Sequence, residues 1–176
     1  MKNSVYLIGG RAVGKSSIGM KLAQKLGYEF LDTDTLITEK CGRSVAEIVE
    51  SEGWPAFREY EKLVLWQLVG REACVVATGG GAILHREVWL ELKKQGLVVW
   101  LTADLSILTE RIAGDQCSDT QRPSLTGKDV CLELEEVLKE RNPLYRETAN
   151  CIIDSGAMMV YDAVLAIEEI YRRPVG

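Results

Sequence analysis

Histidine is almost missing from this chain, and its cysteines never stand close enough in sequence to act together. The single histidine, His85, has no neighbours that could complete a metal-ligand set, and it reads as the exposed start of a helix. The five cysteines form no C-x-x-C pair, which removes zinc-ribbon and dithiol redox chemistry. Their odd count fits reduced cytosolic thiols. No apolar run approaches the roughly 20 residues that cross a bilayer, and the run in MKNSVYLIGG is too short for a signal sequence. The expectation is a soluble, cytoplasmic protein. A net charge of −5 lacks the basic footprint of a nucleic-acid or anionic-membrane binder, so any anionic ligand must be held by local positive charge.

What is present is ordinary globular material: 176 residues, 47% apolar and 27% charged, enough for one domain and one well-buried core. Short apolar runs, SVYLI, YEFLD, ACVVAT, LVVWL and CIID, alternate with longer segments of helical period. The runs are apolar throughout, as strands covered on both faces should be, so the pattern predicts an α/β fold with a largely parallel five-stranded sheet between helical layers. Ser44 with Glu47 reads as a capping box, and Gly27 and Gly96 as helix stops. Between Gly114 and Asp129 the chain turns polar, GDQCSDTQRPSLTGKD, the composition of a long loop or lid.

Residues 9–16, GGRAVGKS, match G-x-x-x-x-G-K-[ST] directly after an apolar strand and before a helix. Such a loop wraps phosphates with backbone N–H groups and the helix N-terminus. Gly10, Ala12, Val13, Gly14, Lys15, Ser16 and Ser17 are therefore the candidate ATP-binding residues, with Lys15 as point charge and Ser16 as magnesium ligand. No N-K-x-D or D-x-x-G sequence occurs, which argues against a GTPase, and the length leaves no room for a motor's coupling domains. A kinase must also hold an acceptor. In LDTDT, Asp32 and Asp34 stand at a strand end facing the ligand crevice of an open sheet; one can serve magnesium and the other an acceptor hydroxyl. Equally, Asp34 or Thr33 can cap the next helix. Arg58 can bind a carboxylate or pair with Glu61 one helical turn on. The triple glycine in TGGGA admits a ligand to bare backbone, or simply turns the chain.

In order and spacing, GGRAVGKS, DTD, FREYE, TGGGA, RPSLTGK and ERNPLY resemble the shikimate kinase family over essentially the whole chain. The resemblance implies the nucleoside monophosphate kinase-like P-loop fold and transfer of the ATP γ-phosphoryl group to the 3-hydroxyl of shikimate, in aromatic amino acid biosynthesis. It implies a core of residues 1–32, 71–112 and 128–176, a substrate-binding segment 33–70 and a mobile lid 113–127. Asp34, Arg58, Gly79, Gly80, Gly81 and Arg141 are the implied shikimate ligands, the two arginines taking its carboxylate. Asp32 joins Ser16 around Mg2+, Arg122 on the lid meets the transferring phosphoryl group, and Arg111 stacks on adenine. Lys15, Asp34 and Arg122 form the implied catalytic set. The loop after the last strand departs from the family in having no proline: IDSGAMMV offers Ser155, Gly156 and Ala157.

The remaining residues read more plainly. Trp66, Trp89 and Trp100 are expected in the core, Trp54 in the core or at the acceptor pocket, and Arg11 toward solvent. Glu133, Glu135, Glu136, Lys139 and Glu140 read as a solvated helix face. A monomer is expected. Other small-molecule kinases of this fold, acting on gluconate or a nucleotide, and a non-catalytic ATP-binding regulator are the competing classes.

Overall fold

The computed structural model describes residues 3–114 and 130–173. Strands β1 (Ser4–Ile8), β2 (Glu29–Asp32), β3 (Cys74–Ala77), β4 (Gly96–Thr102) and β5 (Cys151–Asp154) form one sheet in the order β2-β3-β1-β4-β5. Every strand pair is parallel, with Tyr6 opposite Val76 and Val98. All five apolar runs of the sequence are strands here.

Because both faces are covered, successive residues of β1 feed two different cores. Val5 and Leu7 pack with Ile18 and Leu22 of α1 (Lys15–Leu26), Leu108 of α5 (Leu105–Gly114) and Ile167 of the last helix, α7 (Val160–Arg172). Tyr6 and Ile8 face the opposite way. They meet Leu65 of α3 (Val45–Gln67), Trp89 and Leu92 of α4 (Arg86–Gln95), and Tyr145 of α6 (Val130–Thr148). Burying such large side chains stabilises the sheet by about 1.5–3 kcal/mol apiece. A third cluster joins Ile37 of α2 (Thr33–Cys41) to Ile48, Phe57 and Val64 of α3.

The expected punctuation is present. Ser44 Oγ accepts from the Glu47 amide while Glu47 Oε2 accepts from the Ser44 amide at 2.7 Å, and α1 and α4 stop at Gly27 and Gly96. Within α3 the helical path breaks at Gly53 (φ 81°, ψ 169°), just before Pro55, which re-aims the stretch carrying Trp54, Phe57 and Arg58. At the end of β1, Gly9 (φ 139°) abuts the backbone carbonyl of Leu101 so closely that no Cβ fits.

Three expectations change. Trp66 is 41% exposed rather than buried, because α3 turns the line through Glu61, Val64, Leu65 and Leu68 inward and leaves Trp66 outside it. His85 is only 8% exposed, because the 3-10 turn Ala82–Leu84 swings it beneath α3 rather than out to solvent. Arg11 is half-buried at the rim of a pocket. Trp89 and Trp100 are buried as expected, and on α6 Glu135, Glu136, Lys139 and Glu140 are exposed while Glu133 is half-buried.

Candidate active site

The loop between β1 and α1 delivers Lys15 as the first residue of a helix whose N-cap, Gly14, is left-handed (φ 88°) and supplies no side-chain cap. The first turn of α1 contains no acidic residue. Its N–H dipoles are thus directed at the position where phosphate binds in such loops. The Lys15 ammonium arches back to donate to the carbonyls of Gly9 (2.9 Å) and Gly10. Ser16 and Ser17 are exposed on the same turn.

Arg111 of α5 donates from Nη1 to the Ala12 carbonyl (3.1 Å) and from Nη2 to the Ser155 carbonyl (3.0 Å). Two backbone anchors hold its planar guanidinium as one wall of a cleft completed by Ala12–Gly14, Ser17, Ile18, Met158 and Val160. Ser155 ties this wall together, its hydroxyl donating to the Val13 carbonyl at 2.7 Å. The loop after β5 therefore does without proline by bracing itself on a serine. Composition alone gave no sign of that role.

Asp32 connects the two halves of the site. Its Oδ1 accepts from the Asp34 amide (3.0 Å) and caps α2, while its Oδ2 accepts from the Ser16 hydroxyl (2.8 Å). The helix cap is thus Asp32, not Asp34 or Thr33. Thr33 is fully buried and its Oγ1 accepts from the Gly79 amide (2.8 Å), pinning the glycine loop to α2. Ser16 and Asp32 bring two hard oxygen donors together beside the phosphate loop, a donor set suited to Mg2+, which holds few protein ligands and takes the rest from phosphate and water. Among the described residues no cluster of three or more His, Cys, Asp or Glu side chains competes as a metal site.

Glycines 79–81 form the floor of a pocket lined by Asp34, Trp54, Phe57, Arg58, Glu61, Leu134 and Arg141. At Gly79 and Gly81 a side chain fills the space a Cβ would need. A Cβ on Gly79 would stand 2.7 Å from Glu61 Oε1 and 2.8 Å from Asp34 Oδ1, and one on Gly81 would overlap the Arg58 guanidinium. Arg141 Nη1 borders Gly80. Its side chain is 9% exposed and its Nε has no hydrogen-bond partner, so α6 points an under-satisfied cation into the pocket. Arg58 lies 5.3 Å from the ring centroids of Trp54 and Phe57, and donates from Nη1 to Glu61 Oε2 (2.7 Å). Arg58 thus pairs with Glu61 one helical turn on, and it also lines this pocket. Trp54 likewise packs edge-on against Phe57 and walls the pocket. Arg122 lies outside the described residues.

Two cations, a carboxylate and a bare glycine floor beside a phosphate loop suit a small hydroxylated acid. The family model for shikimate kinase matches residues 11–170. The chain belongs to the shikimate kinase family. It is 44% identical to shikimate kinase 2 of Yersinia enterocolitica over 155 residues, covering 88% of each chain. It is 43% identical to the shikimate kinase of Nitratidesulfovibrio vulgaris over 87% of each. Among solved structures, shikimate kinase from Acinetobacter baumannii in complex with shikimate superposes with a TM-score of 0.88 at 36% identity, over 97% of this chain and 93% of that one. The Aquifex aeolicus enzyme superposes at 0.78 with 28% identity over 94% of each chain. A gluconokinase from Sinorhizobium meliloti, at 20% identity and a TM-score of 0.53, shares the fold alone. The parallel α/β sheet expected from the strand pattern and the P-loop kinase fold implied by the resemblance are thus the ones observed. The roles of Thr33, Tyr145 and Ser155 carry no composition signal, because all three act on backbone carbonyls or amides.

Proposed function

We propose that this shikimate kinase family member transfers the γ-phosphoryl group of ATP to the 3-hydroxyl of shikimate, yielding ADP and shikimate 3-phosphate for aromatic amino acid biosynthesis. The observation that carries this reading is the convergence of Asp34, Arg58 and Arg141 on glycines 79–81 in one pocket beside the phosphate loop. Arg58 and Arg141 take the acceptor's carboxylate, a pairing that favours guanidinium over ammonium. Asp34 and the glycine backbone take its hydroxyls.

The acceptor oxygen attacks the γ-phosphorus, the bond to the β-phosphate oxygen breaks, and the hydroxyl proton passes to the Asp34 carboxylate. In a loose transition state that transfer comes late, so Asp34 chiefly orients the hydroxyl. The backbone of Gly10 and Ala12–Gly14 with Lys15, Ser16 and Ser17 cradles the phosphates, and Arg111 supports the base. Ser16 and Asp32 would hold Mg2+, which would supply charge neutralisation for the phosphates. Arg122, on the lid assigned to residues 113–127, meets the transferring group; the substrate-binding segment is 33–70 and the remainder forms the core.

Among the described residues one chain contributes all of these groups, which supports a monomer as the working unit. The free thiols at Cys41, Cys74 and Cys151 support a cytoplasmic setting, and the net charge of −5 supports small-molecule rather than nucleic-acid or membrane partners. The deciding experiment follows ADP release from ATP and Mg2+ with shikimate, gluconate, CMP, AMP or no acceptor. Release that depends on shikimate is expected; release that ignores it, or preferred turnover of another acceptor, overturns the reading.

A further inference from the structure

We propose that His85 is a positioning residue for acceptor binding: through Glu61 it fixes the direction in which Arg58 presents its guanidinium to the substrate carboxylate. The inference rests on the shikimate reading above and concerns a residue that lines neither the glycine-floored pocket nor the Arg111 cleft.

Glu61 is a fully buried carboxylate in the wall of the pocket. Its Oε2 accepts two hydrogen bonds, from Arg58 Nη1 at 2.7 Å and from His85 Nε2 at 3.0 Å. Its Oε1 has no hydrogen-bond partner and lies against Gly79. A carboxylate paired with an arginine accepts only, so the hydrogen between His85 and Glu61 sits on Nε2.

The His85 backbone explains why the ring is available. His85 is the N-cap residue of α4, where a polar side chain usually turns back to the first helical amides, yet its ring makes no capping bond. Its carbonyl accepts from Val88 (3.1 Å) and its amide donates to Ala82 (3.2 Å), so the backbone alone joins the glycine loop to the helix. The ring is spent on α3 instead. The loop is consequently tied at both ends, by Gly79 to Thr33 and by His85 to Glu61.

Glu61 could hold Arg58 in two ways. A bidentate fork would engage both carboxylate oxygens and turn the guanidinium toward the protein, away from the pocket. The observed contact uses one nitrogen and one oxygen, and His85 occupies the remaining lone-pair direction of that oxygen. This leaves the other guanidinium N–H groups for a ligand carboxylate. Without the imidazole, a buried carboxylate short of donors draws more of Arg58 onto itself, and substrate binding loses its partner.

The test compares two substitutions of similar bulk, His85→Gln, which keeps an N–H near the Nε2 position, and His85→Met, which does not. Shikimate-dependent turnover is measured against both substrates. For His85→Met the shikimate KM is expected to rise about tenfold while kcat and the ATP KM stay within about twofold; for His85→Gln the shikimate KM returns to within about threefold of wild type. Equal shikimate KM values in the two variants, or parallel changes in the ATP KM, would overturn the proposal. Should either variant fail to fold, the untagged wild-type protein decides alone: His85 is its only histidine, so its ring nitrogens are read directly by 15N NMR. Hydrogen on Nε2 supports the inference, and a ring protonated on Nδ1 alone overturns it. Wild-type protein that ignores shikimate brings down the substrate reading and this inference with it. Shikimate turnover with indifferent variants brings down only the inference.

Discussion

Arg58 and Gly81 compete for one position: the guanidinium lies where the Cβ of any other residue at 81 would have to stand. The guanidinium is the far end of a long side chain, so it is the group that must give way, at the expense of its bond to Glu61. Gly81→Ala is therefore expected to displace Arg58 and raise the shikimate KM by tenfold or more, on the order of 1.4 kcal/mol, with the ATP KM unchanged. Arg58→Ala should share that signature, since a carboxylate contact is equally strong in the ground and transition states. A Gly81→Ala enzyme with normal shikimate KM would mean that the guanidinium moves freely and is not the carboxylate's anchor.

In the proposed reaction Asp34 takes part in the chemistry rather than in binding alone. Replacing it with asparagine keeps size and hydrogen-bonding capacity but removes the proton acceptor, and kcat should fall about 10²–10⁴-fold while ATP affinity is retained. Steady-state turnover together with nucleotide binding separates the two. Near-normal kcat would remove Asp34 from the reaction.

For Asp32 the same substitution isolates the metal. Asparagine caps a helix as well as aspartate does, so the bond from the Asp34 amide survives and thermal stability should barely change. The charge beside Ser16 does not survive. The Mg2+ concentration giving half-maximal rate should rise about tenfold, since Mg2+ depends on few, charged oxygen ligands. A melting temperature that collapses with unchanged Mg2+ dependence would show the cap, not the cation, to be the residue's main task.

Features governed by local chain geometry were legible before the structure. A phosphate loop needs its glycines at fixed spacing, strands covered on both faces need unbroken apolar runs, and a capping box needs two residues three apart; each appears where the sequence puts it. Features decided by distant register were not. Thr33 meets Gly79, Tyr145 meets Gly80 and Ser155 meets Val13, each across a large sequence separation and through a backbone atom that any residue possesses. The inward ring of His85 is hidden from the sequence for the same reason, since only the turn Ala82–Leu84 tells the ring which way to face. Trp66 failed differently: α3 is apolar on more positions than it can bury.

Tyr145 gives the clearest test of such hidden backbone contacts. Its hydroxyl donates to the Gly80 carbonyl at 2.6 Å while its ring stacks on Trp100. Tyr145→Phe keeps the stack and strands the carbonyl, which should cost about 1–3 kcal/mol and lower the melting temperature by several degrees. The shikimate KM should rise in parallel, because the glycine floor loses a tether. A lower melting temperature with unchanged KM would show that the floor holds its shape without it.

Cys74 opens β3, the strand that leads into the glycine loop, and burial pushes its thiol above the ordinary value of 9.0 despite the Ser4 hydroxyl 3.1 Å away. Cys151 on β5 is raised for the same reason. Thiolate is the reactive form, so both should alkylate slowly at pH 8, more slowly than exposed Cys131. The sign for stability follows from linkage: a thiol kept neutral by folding contributes fully below its unfolded pKa, and the contribution is lost as pH climbs from 9.0 toward the folded value. Denaturant midpoints should therefore fall between pH 8 and about pH 10. Labelling of Cys74 requires β3 to open, so a ligand seated on glycines 79–81 should slow it further. Mass spectrometry with and without shikimate checks this, and a Cys74 labelling rate indifferent to shikimate would mean that the strand opens independently of the pocket it supports.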